Sequence, residues 1–132
     1  MRILVFGSGI LSTQLIPMFL DEGHKVTIMD SNPDTMYSFS RKFDVDVVLM
    51  TSPIVEALPD AKILDSDMFL AVTDDDNTNI LAAQAAQQIF GVSQVWCQIS
   101  DPSLNHIYED LGLYIVNPTV SSRDIILERL TG

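Results

Sequence analysis

Two glycines one residue apart, an aspartate 23 residues beyond the first of them, and a run of three aspartates are the residues of this chain whose types and spacing could do chemistry. The glycines stand in Gly7-Ser8-Gly9-Ile10-Leu11-Ser12, the single aspartate is Asp30, and the run is Thr73-Asp74-Asp75-Asp76. Lacking a Cβ, Gly7 lets the backbone turn sharply, and Gly9 lets a phosphate approach the chain where the amides of a following helix concentrate positive charge. A carboxylate at the spacing of Asp30 accepts hydrogen bonds from the ribose hydroxyls of a nucleotide held on that turn. The third position of the glycine pattern is Ser12, still small enough for the helix to sit close to the strand. Of the three clustered acids, one is expected to cap a helix. Three exceed that need, and Thr73 and Asp74 are therefore candidates for ligand contact.

These groups act together only if strands and helices bring them to one place. Arg2-Ile3-Leu4-Val5-Phe6 is an apolar run of strand length, and Ile10, Leu11, Leu15, Met18 and Phe19 recur at helical spacing just past the glycines. Lys25-Val26-Thr27-Ile28-Met29 reads as a second strand ending on Asp30. Asn32 as cap and Pro33 in the first turn start a helix to about Phe43, and Val45 to Met50 reads as a third strand. A short helix holding Ile54, Val55 and Leu58 should follow. Met68-Phe69-Leu70-Ala71-Val72, continuous and apolar, fits a central parallel strand buried on both faces. Beyond a helix from Ile80 to about Phe90 come a fifth strand, Gln94 to Ile99, a fifth helix, Pro102 to Leu111, a sixth strand, Tyr114 to Val116, and a last helix from Pro118 to Leu130.

Six strands alternating with helices predict an α/β chain: a Rossmann-type, doubly wound parallel sheet of order 3-2-1-4-5-6, with right-handed crossovers, in three α-β-α layers. Ligands of such sheets bind outside the carboxyl ends of the strands where the order reverses, here between strands 1 and 4. The candidate binding residues at that opening are Gly7, Ser8, Gly9, Ile10 and Leu11; Asp30 and Ser31; Thr51 and Ser52; Thr73, Asp74 and Asp75; and Gln98. The whole of residues 1–132 reads as one domain.

A net charge of −11, from 18 acidic and 7 basic side chains, opposes binding to nucleic acid or to an anionic lipid surface. The longest apolar runs fall well short of the about 20 residues a membrane span needs, and no secretory leader pattern is present, so a cytoplasmic location is expected. The single cysteine, Cys97, reads as a small buried hydrophobe, and His24 and His106 are isolated, so no metal is expected. Adjacent carboxylates on one turn cannot all face one ion, which ranks a cation sensor at Asp74 to Asp76 low.

The chain resembles the N-terminal lobe of the regulator-of-potassium-conductance family, the cytosolic nucleotide-binding subunits of Trk- and Ktr-type potassium uptake systems and gated potassium channels. The likeness is carried by Ile3 to Gly9, by Gly23-His24-Lys25-Val26-Thr27-Ile28-Met29-Asp30, and most specifically by Asp67 to Ala83, with Asp101-Pro102 and Leu111 to Pro118 in support. Three positions depart from it. Ile10-Leu11 stand where the family often has an arginine after the second glycine, Met50-Thr51 replace a Gly-Asp pair after the third strand, and Trp96-Cys97-Gln98 stand where an arginine is frequent. The family's C-terminal lobe is absent from this sequence, which implies a single-lobe protein or an excised domain.

The resemblance implies a non-catalytic regulator whose ligand-dependent packing gates an integral-membrane potassium transporter or channel, peripheral to the inner face of the plasma membrane through that partner. An NAD-dependent oxidoreductase fragment is the alternative, since the same unit serves dehydrogenases. No His, Lys or Tyr stands among the crevice turns to act as acid or base, and no substrate domain follows. Asp30 favours NAD or NADH, with AMP or ADP next, while the lack of a basic residue at Ile10 or Leu11 disfavours metal-free ATP unless Arg123 swings in. The last helix has an apolar stripe, Val120, Ile125, Ile126 and Leu130, and no later strand to pack on, so a homo-oligomer is expected.

Overall fold

The computed structural model describes residues 1–131. Six strands, β1 (Arg2–Phe6), β2 (Lys25–Asp30), β3 (Asp46–Leu49), β4 (Met68–Ala71), β5 (Gln94–Gln98) and β6 (Tyr114–Val116), form one sheet of order β3-β2-β1-β4-β5-β6. Every pairing is parallel, with Leu4 opposite Thr27 on one side and Phe69 on the other. This is the Rossmann-type, doubly wound sheet expected from the sequence.

The alternation of side chains along β1 explains both layers. Leu4 and Phe6 face a core with Phe69, Ala71, Val95 and Cys97 from the neighbouring strands. Helix α3 (Ile54–Ala57) and helix α4 (Asp76–Gln84) close that side, and Ala82, Ala83, Ala85 and Ala86 let α4 and its continuation lie close against the phenylalanines. Ile3 and Val5 face the opposite core, with Val26, Ile28 and Leu70, under helix α1 (Ile10–Asp21) and helix α2 (Pro33–Lys42). Strand β4 is buried at all four positions, as a central strand must be.

Local chemistry sets the helix ends. Asn32 Oδ1 accepts from the amides of Asp34 (2.9 Å) and Thr35 (3.3 Å), and Pro33 opens α2. Helix α4 begins at Asp76, earlier than the periodicity from Ile80 suggested, because Asp75 caps it, and it ends in a single π turn, Ala85–Ile89, whose last bond runs from Phe90 N–H to Ala85 O. The segment expected as a fifth helix from Pro102 to Leu111 is a 3₁₀ turn (Pro102–Leu104) followed by a short helix α5 (Asn105–Glu109). Asp101 caps that turn, and hydrogen bonds from the Ser103 hydroxyl and amide hold its carboxyl below the usual carboxylate range.

Helix α6 (Pro118–Thr131) follows β6 and has no buried residue; Ile125 is 58% exposed, Ile126 60% and Leu130 77%. Beside α1, the sheet face formed by Leu70, Val72 and Trp96 with Leu11, Leu15 and Phe19 encloses an apolar groove of about 340 Å³. No helix of the described residues is long and apolar enough to cross a membrane.

Candidate functional site

At the carboxyl ends of β1, β2 and β4 the turns after the strands enclose a cavity of about 520 Å³. Its wall on one side is the glycine turn. Gly7 sits at φ +119°, a backbone that favours glycine, and a Cβ there would stand 2.7 Å from Val72 O. Gly7 thus permits β1 and β4 to run side by side at the turn. Gly9 differs: a Cβ there would meet nothing within 4 Å, so the protein itself does not demand glycine at this position. Open space above Gly9 is what a ligand phosphate needs. Ser12, in the place of a third glycine, is fully buried, and its hydroxyl donates to Gly7 O at 2.5 Å, tying the helix back onto the turn.

Asp30 is bound to that turn. Its Oδ2 accepts from the Ser8 amide (2.8 Å) and hydroxyl (2.6 Å), and its Oδ1 accepts from the Ser31 amide (2.6 Å). Thr35 on α2 extends the network to Ser8 Oγ at 2.9 Å. The carboxylate is therefore fixed at the edge of the cavity, with lone pairs remaining for a ribose.

The three clustered acids have three different tasks. Asp75 caps α4, accepting from the Asn77 amide and the Thr78 hydroxyl. Asp76 reaches across to the end of β5 and accepts from the Ser100 amide and hydroxyl. Asp74 is exposed at the opening, and among the described residues no side chain or amide bonds its carboxylate.

Behind this turn lies the fully buried Asn79, a residue that sequence reasoning passed over. Its Oδ1 accepts from the Thr73 amide (2.9 Å) and hydroxyl (2.6 Å), while its Nδ2 donates to the carbonyls of Thr73 (2.9 Å) and Gln98 (3.0 Å). One amide thus joins the β4 turn to the end of β5. Asn79→Ala should leave these partners short of hydrogen bonds in a buried place and destabilise the domain by about 3 kcal/mol. Urea denaturation measures this, and a loss below about 1 kcal/mol would show that the joint is dispensable.

A second cavity, of about 730 Å³, lies on the other side of the α1 start and shares Gly9, Val72 and Asp74 with the first. Ile10, Leu11, Gln14 and Gln98 line it, together with Pro118, Ser121 and Ser122 of α6. The expected site residues are thus divided. Ser8, Asp30, Ser31, Thr73 and Asp75 line the first cavity, Ile10, Leu11 and Gln98 the second, and Gly9 and Asp74 both. Gly7 is buried beneath the turn. Thr51 and Ser52 line neither, because β3 ends at Leu49 and Met50 occupies the wall before the chain turns away. Asn32, Thr78 and Gln14 were not anticipated. Asn32 caps one helix that starts at this edge, and Gln14 and Thr78 lie in the first two turns of two others, which is the signal that could have found them.

Electrostatics at the opening favour one place for an anion. Helices α2 and α4 begin there with side-chain caps, whereas α1 begins at Gly9 with none. The amides of its first turn are left to whatever occupies the cavities, at the positive end of a twelve-residue helix. The titratable side chains lining the two cavities are all aspartates. Cys97, nearby on β5, is buried, and burial, assisted by the charge of Asp76, pushes its thiol up to about 12, which rules it out as a nucleophile at neutral pH. Among the described residues no group of three or more His, Cys, Asp or Glu side chains could hold a metal ion.

This geometry agrees with what the chain is similar to. Over 130 residues it is 31% identical to the Trk system potassium uptake protein TrkA of Streptomyces coelicolor, an alignment covering 98% of this chain and 58% of that one. The chain therefore spans little more than half the length of that relative. Among solved structures, the Kef CTD of Shewanella denitrificans in an AMP-bound form matches with a TM-score of 0.80 at 16% identity, over 99% of this chain and 80% of that one. The GsuK channel bound to NAD matches with a TM-score of 0.75 at 17% identity, over 87% and 21%. At those identities the structures establish the shared fold. The model of the TrkA-N domain matches residues 3–118, from the first strand through the glycine turn, Asp30 and the Thr73–Asp76 turn to the start of α6, and the chain belongs to the TrkA-N domain family.

Proposed function

We propose that this chain is a non-catalytic nucleotide sensor of a potassium-transport system, binding NAD or NADH, or an adenosine mono- or diphosphate, at the glycine turn. The observation that carries the reading is the uncapped start of α1 at the neck between two cavities, with open space over Gly9 and a fixed carboxylate at Asp30. Anions suit the helix start, and the ribose suits the carboxylate. The family relatives and the nucleotide-bound neighbours support the same reading, and the lack of a proton-transfer group other than aspartate along the cavities supports a binding role over hydride chemistry. A thermal-shift and calorimetry panel of NAD, NADH, AMP, ADP, ATP and NADPH tests it. Steady oxidation of NADH with a small carbonyl compound would overturn it.

Signalling of this kind needs a partner: an integral-membrane potassium transporter or channel, engaged from the cytoplasm, and other copies of the chain. The support for self-association is a helix without a groove and a groove without a helix. α6 presents Ile125, Ile126 and Leu130 to solvent, and the sheet face beside α1 leaves its apolar groove open, so a second copy's α6 fits the need of both. Light scattering at micromolar concentration should give at least twice the 14.6 kDa chain mass, and Ile126→Glu with Leu130→Glu should return it to one. A monomeric mass for the unaltered chain would remove this part of the proposal.

A further inference from the structure

We infer that the amino edge of the sheet carries a second ligand site, for a small free oxyanion such as phosphate, formed by Arg2, Lys25 and Lys62. A cavity of about 150 Å³ opens there between the first residues of β1, β2 and β3 and the two 3₁₀ turns Leu58–Ala61 and Ile63–Asp65. It lies at the opposite end of the strands from the nucleotide crevice, about 16 Å from the glycine turn along the length of β1. Both places can therefore be filled at once.

Basic residues are scarce in this chain, and three of its seven line the one cavity. Arg2 is the register partner of Lys25, so two positive side chains leave neighbouring strands side by side on the same face, an arrangement that repels. Lys62 joins them from the junction of the two 3₁₀ turns, at φ +60° and ψ 41°, and it is the one non-glycine residue with positive φ among the described residues. Glycine would relieve both the strain and the charge at that junction; a lysine stands there instead. Asp46 and Asp65 also line the cavity, yet neither pairs with a cation: among the described residues the close ion pairs are His24–Glu22 and Arg123–Asp124. Three positive side chains against two negative leave the lining positive in a chain of net charge −11. The half-buried Thr27 lines it as well, and among the described residues nothing bonds its hydroxyl, so a neutral donor is free beside the three cations.

Size and charge fix the class of occupant. The volume is half or less of the about 300 Å³ at which sites for drug-sized ligands begin, too small for a nucleotide and sufficient for a single tetrahedral oxyanion. The Arg2 guanidinium can fork onto two of its oxygens, the two ammonium groups and Thr27 can serve the others, and the anion relieves the repulsion between Arg2 and Lys25. Asp46 and Asp65 on the same lining oppose a polyphosphate, whose further charges would face them.

The test is NMR of the ¹⁵N-labelled chain titrated with sodium phosphate, with sodium chloride at the same pH and ionic strength as reference. Amide shifts of residues 2, 25–27, 46 and 61–66 should move and saturate, with a midpoint at or below about 5 mM, and chloride should not reproduce them. Lys62→Gly keeps the left-handed backbone and Lys25→Gln keeps a strand residue, so both variants should retain the spectrum of a folded domain and weaken phosphate about fivefold or more. Shifts that chloride reproduces, shifts confined to the α1 start, a titration still unsaturated at about 50 mM, or variants that bind phosphate as the unaltered chain does would each overturn the site.

Discussion

Gly9→Val is expected to lower nucleotide affinity about a hundredfold or more and to leave the domain folded. Gly9 lies at φ −82° and ψ −165°, an extended backbone that valine adopts readily, and a Cβ there meets no atom within 4 Å. Valine is a poorer helix cap than glycine, a cost of about 1 kcal/mol. Its two methyl groups, however, occupy the space over the α1 start in which a phosphate must sit to reach the uncapped amides. Gly7→Ala should do the opposite. At φ +119°, with the new methyl 2.7 to 2.9 Å from the Val72 carbonyl and the Thr73 amide nitrogen, the clash is with backbone that is held in register with β1. Strain and overpacking together should destabilise the fold by about 3 to 5 kcal/mol. Denaturation separates the two variants by stability, and calorimetry separates them by binding. Unchanged affinity in Gly9→Val would remove the phosphate from this turn and with it the proposed function.

The contrast between two glycines one residue apart also marks how far the sequence was legible. The strand order followed from the alternation of apolar runs with helical periodicity, since β-strands buried on both faces and helices with one apolar side leave few ways to pack. The glycine turn and Asp30 followed from spacing along one βαβ unit, whose fixed strand–helix–strand geometry brings Ser8 and Asp30 together. What the sequence could not show are contacts between segments far apart in it. Three adjacent aspartates look alike until Ser100, 24 residues on, is beside Asp76 and Asn77 and Thr78 fold back on Asp75, leaving Asp74 at the opening. Asn79 reads as an ordinary helix residue until β5 brings the Gln98 carbonyl to it. Thr51 and Ser52, in the turn after the third strand, stand beyond the opening, because β3 ends at Leu49 and Met50 lines the cavity instead. The role of α6 depends on where a helix with no later strand points, which local periodicity does not determine.

The second large effect concerns the choice among nucleotides, and it follows from one carboxylate. Ser8 holds Asp30 Oδ2 with its amide and hydroxyl, and Ser31 holds Oδ1 with its amide and, at 3.5 Å, its hydroxyl, so the group cannot rotate away from a ligand. It can accept from ribose hydroxyls. A 2′-phosphate in their place would bring a charge to within about 5 Å of the carboxylate, a repulsion of about 3 kcal/mol per unit charge at an effective dielectric of 20. No lysine or arginine lines the cavity to offset it. NAD should therefore bind more than about a hundredfold more tightly than NADP. Asp30→Ala should narrow that gap to about tenfold or less, partly because NADP gains and partly because NAD loses an acceptor and the Ser8 amide loses its partner. Asp30→Asn keeps an acceptor for the ribose while removing the charge, so it should retain more NAD affinity than the alanine variant and still narrow the gap. The same charges bear on metal-free ATP, whose phosphates would face Asp30, Asp74 and Asp75 with the α1 amides as the counterweight. Titrating ligand-free protein with NAD, NADP, ADP and ATP decides the matter. If NADP or metal-free ATP binds at least as tightly as NAD, Asp30 does not face the ribose, because no other charge on this cavity wall favours the added phosphates.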